Sequence, residues 1–204
     1  MTEDDKYTYP GSGGVLVNKL DIRDASQLDE ALNDYASVAW AALRREPIPE
    51  PPNFKYLQDI HRRLFARVLP WAGQLRDVDA QAAGAGIAYC RPAYIEDSLT
   101  TLFSRLSQED YLAGLDRRDF ADKLAEHWGE LSAIHPFRDG NTRSQSAYIT
   151  SLAVRAGHPI DWQHVDVEQL RALRLSAIAG QEKPLADYLF SQLLTKPAEQ
   201  PGRD

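Results

Sequence analysis

Residues 135–146, with the sequence HPFRDGNTRSQS, separate two stretches whose apolar residues have helical spacing. The apolar positions of the first stretch are Phe120, Leu124, Trp128, Leu131 and Ile134, and those of the second run from Ala147 to Val154. The first helix should end at His135, because a residue that precedes proline is disfavoured from helical backbone. Gly140 and Asn141 accept turn conformations that other residues avoid. We therefore predict a helix, a loop and a second helix.

This loop has the composition of a phosphate-binding site. A helix that begins at Asn141 points unpaired backbone N–H groups and the positive end of its dipole into the loop, which suits an anion. Arg143 can add a forked donor for phosphate oxygens, and Asp139 can offer an oxygen ligand to Mg²⁺ between phosphates. His135 is a proton acceptor near neutral pH. Phe137 is expected to lie in the core beneath the loop.

Each of these residues also has a purely structural interpretation. A histidine at a helix end can be a cap, Asp139 before glycine is typical of a turn, and Arg143 can lie on a solvated helix face. A turn does not need a histidine, an acid, a Gly-Asn pair and an arginine together, however. The combination therefore favours the functional interpretation.

The stretch resembles the signature of the Fic family, H-x-F-x-(D/E)-G-N-G-R-x-x-R, whose members transfer AMP from ATP to a hydroxyl group of a target protein. The resemblance implies that His135 takes the proton from a target Tyr, Ser or Thr hydroxyl as it attacks the α-phosphate. It also implies that Asp139 holds Mg²⁺. The phosphate contacts would come from Gly140, Asn141, Thr142 and Arg143, with Arg143 on the distal phosphates.

Two positions depart from the Fic signature. Thr142 replaces a glycine, so a β-branched side chain stands where bare backbone normally approaches phosphate. Ser146 replaces the second arginine and lacks its charge-assisted contact with the γ-phosphate, a loss of typically about 1.5 to 3 kcal/mol. In the family, this arginine is also the partner of an inhibitory glutamate. We therefore expect ATP to bind more weakly or in a different pose. We also expect no autoinhibition by the family's usual glutamate.

The resemblance to bacterial Fic toxins extends over most of residues 7–194, through the segments YTYPG, YLQDIHRRLF, WAGQLR and AGHPIDW. This layout implies a β-hairpin flap over the active site at about residues 77–89, which binds the target chain as an added strand. The expected target-binding residues of the flap are Asp77, Val78, Ile87 and Tyr89.

The remaining helical patterns predict a mainly α fold with about seven helices and the small hairpin flap. Ser26 is expected to cap a helix that reaches Glu46, with Tyr35 and Val38 on its apolar stripe. The other helices are expected at about 54–68, from Pro92, from Asp116, and at about 167–179 and 184–194. On the helix over 54–68, the sequence His61-Arg62-Arg63 is expected to face solvent.

Composition is compatible with a compact enzyme. A chain of 204 residues with 43% hydrophobic content suits one domain, which we place at 1–194 with a loose tail at 195–204. No apolar run approaches the roughly 20 residues of a membrane span, and the acidic start lacks the basic residues of a signal peptide, so we expect a cytoplasmic bacterial protein. A net charge of -7 argues against nucleic acid as a direct partner.

Fic proteins are often restrained by a helix with the motif S/T-x-x-x-E-G/N. Residues 26–31 read SQLDEA and residues 195–200 read TKPAEQ, and neither matches fully. The second also contains a helix-breaking proline. We therefore expect a separate small helical antitoxin.

The sequence thus predicts a protein adenylyltransferase that uses ATP and Mg²⁺, acting as the toxin of a toxin–antitoxin pair. In the toxin class that the layout resembles, targets are often ATPase subunits of type II topoisomerases. One alternative is a Doc-like phosphotransferase, although that branch has Ala-Asn-Lys where this chain has Gly-Asn-Thr. Another, suggested by Thr142 and Ser146, is a non-catalytic module that binds a nucleotide or a partner.

Overall fold

The computed structural model of the chain describes residues 6–82 and 84–194, and within these ranges it contains seven α-helices and one 3₁₀ turn. In chain order the helices are α1 (Ala25–Leu43), α2 (Phe54–Phe65), α3 (Pro92–Gln108), α4 (Arg117–Ile134), α5 (Asn141–Arg155), α6 (Val167–Ile178) and α7 (Lys183–Gln192), with the 3₁₀ turn at Asp110–Leu112. The predicted mainly α fold is confirmed. The acidic start and the tail expected at 195–204 lie outside the described residues.

Local sequence signals set most helix ends. Asp116 caps α4 by accepting hydrogen bonds from the backbone N–H groups of Arg118 and Asp119, and Pro92 occupies the first turn of α3. The prediction that Ser26 caps α1 was wrong, because Asp24 accepts the hydrogen bond from the Gln27 backbone N–H and the helix begins before Ser26. Helices α1 and α2 also end three residues earlier than expected, at Leu43 and Phe65.

Helix α4 is central to the packing and contacts α3, α5, α6 and α7. The described residues share one continuous hydrophobic core, whose largest fully buried side chains are Trp128, Tyr148, Phe65, Phe120 and Phe137. Fully burying one large apolar side chain contributes about 1.5 to 3 kcal/mol. This core fixes α4 and α5 against each other, and the loop between them carries the signature residues. No helix among the described residues has both the length and the apolar character needed to cross a bilayer.

Two predictions about helix faces were wrong. Tyr35 and Val38 of α1 are 37% and 74% exposed, because α1 packs mainly on α2 and buries a narrower stripe. That stripe consists of Leu28, Leu32, Ala36 and Leu43. On α2, His61 is fully buried rather than solvent-facing. It lies four residues after Leu57 and four before Phe65, on the side of α2 that faces the loop.

The expected flap is a minimal hairpin. One antiparallel bridge joins Gln81 to Ala88, and two backbone hydrogen bonds flank it, from Ala82 N–H to Ile87 C=O (2.8 Å) and from Tyr89 N–H to Ala80 C=O (3.0 Å). This pattern makes Gln81 and Ala88 a non-hydrogen-bonded pair, so their own backbone N–H and C=O groups point to the outer edges of the hairpin.

Candidate active site

His135 ends α4 and faces the flap. It has a left-handed backbone conformation (φ 47°) at the C-cap position, and its backbone N–H donates to Leu131 C=O at 3.1 Å. The imidazole lies parallel to the ring of Tyr89, with ring centroids 3.7 Å apart and an interplanar angle of 7°. One face of the imidazole is therefore covered, while the nitrogen atoms at its edge are not involved in the stack.

The surroundings of His135 favour its neutral form. Burial, followed by the positive charges of Arg174 and Arg76, lowers the pKa of its imidazole to about 3, against a raising hydrogen bond with the Ser132 backbone. The ring is closely surrounded although part of the residue meets solvent. At neutral pH the imidazole is therefore unprotonated and can accept a proton.

The loop after His135 is shaped by Gly140 and Asn141. Gly140 has φ 76°, and a β-carbon there would lie within 2.9 Å of three carbon atoms of the Phe65 ring, so only glycine fits. The Asn141 side chain accepts from Phe137 N–H at 2.9 Å and donates to Phe137 C=O at 2.7 Å. These contacts fix the loop directly before the first turn of α5, whose leading N–H groups have no partner within the helix.

His61 was missed by the sequence interpretation and supports the same loop from α2. The Gly73 backbone N–H donates to its Nδ1 at 2.8 Å, so Nε2 carries the proton and donates to the Asp139 C=O at 2.8 Å. The ring also stacks on Phe137 with a centroid distance of 3.9 Å, and burial lowers its pKa to about 4. The spacing of His61 from Leu57 on one helix face was the sequence signal for its burial.

Arg76, in the WAGQLR segment, is a second supporting residue that the sequence interpretation missed. Its side chain is 2% exposed, and it donates to four backbone carbonyl groups, those of Val78, Cys90, Ile134 and His135. Its backbone N–H donates to Pro136 C=O at 2.9 Å. Burial lowers the pKa of its guanidinium. Arg76 thus connects the end of α4 with both ends of the flap.

Arg143 lies in the first turn of α5, where contacts with α1, Asp139 and Phe65 hold its guanidinium. Its Nη1 donates to Asn33 Oδ1 of α1 at 2.8 Å, its Nη2 lies 3.4 Å from Asp139 Oδ2, and its guanidinium lies 4.9 Å from the centre of the Phe65 ring. The structure therefore brings Arg143, Asp139 and the helix start together, as the signature predicts. Thr142 is exposed in this first turn. Ser146, one turn further along α5, is only 7% exposed and offers a ligand little surface.

The four expected flap residues lie in different environments. Tyr89 contacts His135 directly, whereas the Asp77 carboxylate accepts from Tyr7 Oη at 2.7 Å and pairs with Lys6. The Val78 carbonyl accepts from Arg76, and the Ile87 carbonyl accepts from within the hairpin. Asp77 and Val78 therefore tie the base of the flap to its surroundings.

A magnesium ion fits this site only when substrate phosphates supply part of its ligands. The part of the chain that the structure describes contains no group of three His, Cys, Asp or Glu side chains arranged to hold a metal. Asp139 instead offers a single, partly exposed carboxylate beside Arg143 and the start of α5. Mg²⁺ commonly takes one or two carboxylates and completes its shell with substrate phosphates and water, which agrees with this donor set.

Comparison with known proteins identifies the family. The profile of the Fic/DOC family matches residues 51–153. The chain is 31% identical over 195 residues to the probable protein adenylyltransferase Fic of Escherichia coli, covering 96% of this chain and 94% of that protein. It is 32% identical over 192 residues to the protein adenylyltransferase VbhT of Bartonella schoenbuchensis, covering 94% of this chain but 39% of that longer protein.

Comparison of the fold with solved structures gives the same family. The crystal structure of the BepC effector protein of Bartonella tribocorum with bound AMPPNP superposes with a TM-score of 0.87 at 27% identity, covering 94% of this chain and 97% of that one. The chain therefore belongs to the Fic/DOC family. The expected enzyme class, protein adenylyltransferase, is confirmed with it.

Proposed function

We propose that this chain transfers AMP from ATP to the hydroxyl group of a Tyr, Ser or Thr side chain of a target protein, with His135 as the catalytic base. The observation that carries the proposal is the placement of a neutral imidazole at the end of α4, across a fixed loop from the first turn of α5. The relatives named as protein adenylyltransferases support the reaction, and the AMPPNP bound to BepC supports the nucleotide.

In the proposed reaction, His135 accepts the proton of the target hydroxyl as its oxygen attacks the α-phosphorus of ATP. The bond between the α-phosphorus and the oxygen that bridges to the β-phosphate breaks, and pyrophosphate leaves. The proton then passes from His135 to solvent or to the leaving group. Burial and the nearby arginine charges lower the pKa of His135, which favours an unprotonated base at the start.

The phosphate contacts are proposed for the start of α5. Backbone N–H groups at Gly140, Asn141 and Thr142 would face the phosphates, and Arg143 would bind the distal ones. Asp139 would hold Mg²⁺, which would neutralise part of the triphosphate charge and help pyrophosphate leave. Thr142 is exposed, so its hydroxyl can also reach a phosphate oxygen. Ser146 has neither the charge nor the exposure to replace the arginine of the signature.

Target binding is proposed at the flap. The outward backbone groups of Gln81 and Ala88 can pair with an extended peptide, which would become an added strand of the hairpin. Both residues are exposed. The ring of Tyr89 lies next to His135, so a target side chain beside the hairpin would be delivered to the catalytic base.

The cellular role is proposed from the sequence layout. We infer one Fic domain over residues 1–194 in a cytoplasmic bacterial toxin, restrained by a separate small helical antitoxin. Residues 26–31 lie at the start of α1 and lack a full inhibitory motif, which supports a separate inhibitor. ATPase subunits of type II topoisomerases are the proposed targets.

Mass spectrometry of a lysate treated with Mg²⁺, ATP and either wild type or His135→Ala tests the reaction. We expect an AMP increment on a hydroxyl side chain with the wild type and none with the variant. Parallel reactions with ATP labelled at the α- or the γ-phosphate separate AMP transfer from the Doc-like transfer of a phosphate. If no lysate protein is labelled in either reaction, the binding-module alternative suggested by Thr142 and Ser146 replaces the proposal.

A further inference from the structure

Arg174 of α6 is a buried cation whose described contacts are all with neutral groups. It is 6% exposed, its Nε donates to Ser132 Oγ at 3.0 Å, and its Nη2 donates to Gln145 Oε1 at 2.6 Å. Its guanidinium also lies 5.0 Å from the centre of the Trp128 ring. Within residues 6–82 and 84–194, no carboxylate lies within ion-pair distance of it. A buried charge without a counter-ion is costly, so a position that retains one calls for an explanation.

The contacts of Arg174 join the two helices that carry the site. Ser132 lies on α4 three residues before His135, and Gln145 lies on α5 within the signature segment. The Gln145 side chain also donates to Leu131 C=O at 3.2 Å. Arg174 therefore bridges α4 and α5, and its contact on α4 lies one turn before the proposed catalytic base.

Close packing of α6 on α4 is what brings the cation to this place. A β-carbon at Gly129 of α4 would lie 3.0 Å from the Ala177 β-carbon of α6, so the two helices approach tightly at this point. Burial lowers the pKa of Arg174 only to about 10, so the guanidinium remains charged at neutral pH. A full positive charge is thus fixed near the base by the fold itself.

A bound nucleotide would favour protonation of His135, and a nearby positive charge opposes this effect. The triphosphate is strongly anionic, and an anion close to an imidazole favours the protonated form. A protonated His135 could no longer accept a proton from a hydroxyl group. A fixed cation near the imidazole opposes this effect, and the charge of Arg174 acts on both His135 and Tyr89.

We propose that Arg174 is a positioning residue that holds the α4–α5 junction and places a fixed positive charge near His135 where a nucleotide binds. The proposal rests on the proposed function, because it assigns the nucleotide to the start of α5. The other groups that face His135 are Arg76 from the segment after α2 and Tyr89 from the flap. Asp79 and Arg138 act in turn on Arg76, and Arg171 acts on Tyr89.

Titration of His135 by NMR in the full chain with labelled histidine tests the proposal. The His135 signal is assigned by its loss in His135→Ala, and titrations are run with and without AMPPNP and Mg²⁺ over the pH range in which each variant remains folded. In Arg174→Gln, we expect the midpoint of His135 to rise by about one pH unit or more relative to wild type, which is about a tenfold gain in proton affinity. The rise should be larger with nucleotide bound.

The matched control is Arg171→Gln, which removes the same charge from an exposed position one turn earlier on α6, where the charge acts on Tyr89 but is not among the causes that lower the pKa of His135. It should leave the His135 midpoint within a few tenths of a unit of wild type. Arg174→Lys keeps the charge and should retain most of the low midpoint. A folded Arg174→Gln with an unchanged midpoint overturns the proposal. If Arg174→Gln does not fold, Arg174→Met replaces it, and failure of both to fold makes Arg174 a folding residue and also overturns it.

This measurement is independent of AMP transfer. A wild-type chain that labels no protein but shows the expected shift between wild type and Arg174→Gln would contradict the proposed function and leave the role of Arg174 intact. The converse result is a wild-type chain that labels target protein while Arg174→Gln leaves the His135 midpoint unchanged. This result would contradict the further inference alone.

Discussion

The ring of Tyr89 lies parallel to the imidazole of His135, at a centroid distance of 3.7 Å and an angle of 7°. A flap residue thus holds the plane of the proposed base, although the backbone of His135 is set by α4. Because the stack covers a face of the imidazole and leaves its edge available, it orients the proton acceptor without blocking it.

Replacing Tyr89 should separate orientation from hydroxyl chemistry. Tyr89→Phe keeps the stack and should retain nearly the wild-type rate of AMP transfer. Tyr89→Ala removes a ring contact worth about 1 kcal/mol, so we expect roughly a fivefold lower kcat. Single-turnover labelling of the target measures both. Equal rates for Ala and wild type would show that the stack does not orient the base.

Restoring the second arginine of the signature should strengthen nucleotide binding. Ser146→Arg can add a charge-assisted contact worth about 1.5 to 3 kcal/mol to the γ-phosphate, and calorimetry with AMPPNP and Mg²⁺ measures it. Ser146→Gln, which adds length without charge, is the control. Ser146 is 7% exposed. An unchanged affinity in Ser146→Arg would mean that this position does not face the γ-phosphate.

Gly140 and Gly84 form a matched pair for testing the signature loop. Both have φ 76°, but a β-carbon at Gly140 would collide with the Phe65 ring, whereas one at Gly84 would meet no atom within 4 Å. We expect Gly140→Ala to lower the free energy of unfolding by about 1 to 3 kcal/mol more than Gly84→Ala. Urea denaturation measures the difference, and comparable losses would argue against the collision.

The two histidines with lowered pKa values, His61 at about 4 and His135 at about 3, predict how stability depends on pH. Their unfolded-state pKa is near 6.5, so between about pH 6.5 and 4 the unfolded chain binds more protons than the folded chain. The free energy of unfolding should therefore fall as the pH drops through this window, by an amount on the order of a few kcal/mol.

Denaturation at several pH values checks this dependence, and His61→Gln provides the comparison. Glutamine can still donate to the Asp139 carbonyl but does not titrate, so the variant should lose part of the slope between pH 6.5 and pH 4. An identical slope in the variant would show that His61 is not one of the groups responsible.

The helix–loop–helix that carries the signature could be predicted from the sequence because its determinants are local. Pro136 ends one helix, Asn141 begins the next, and Asp116 caps α4 through atoms only two and three residues away. The helix ends at Leu43 and Phe65 were less well predicted, since apolar spacing alone does not say where a helix leaves the core.

The supporting residues could not be predicted in this way. His61 and Asp139 are 78 residues apart in the chain, Arg76 and His135 are 59 apart, and Arg174 and Ser132 are 42 apart. Arg76 binds backbone carbonyl groups, which every residue has, so its partners leave no trace in the sequence. In the sequence, Arg174 cannot be told from a solvent-exposed arginine on a helix, because its burial results from the packing of α6 on α4.

Arg76 has a consequence for how a target would be recognised. One guanidinium holds the carbonyl of Val78 on one side of the hairpin, that of Cys90 on the other, and that of His135 itself. A peptide that pulls on either side of the hairpin must break one of these bonds or shift the histidine. If a target docks at the flap as proposed, its docking is mechanically linked to proton abstraction by His135, and a poorly fitting peptide lowers turnover as well as affinity.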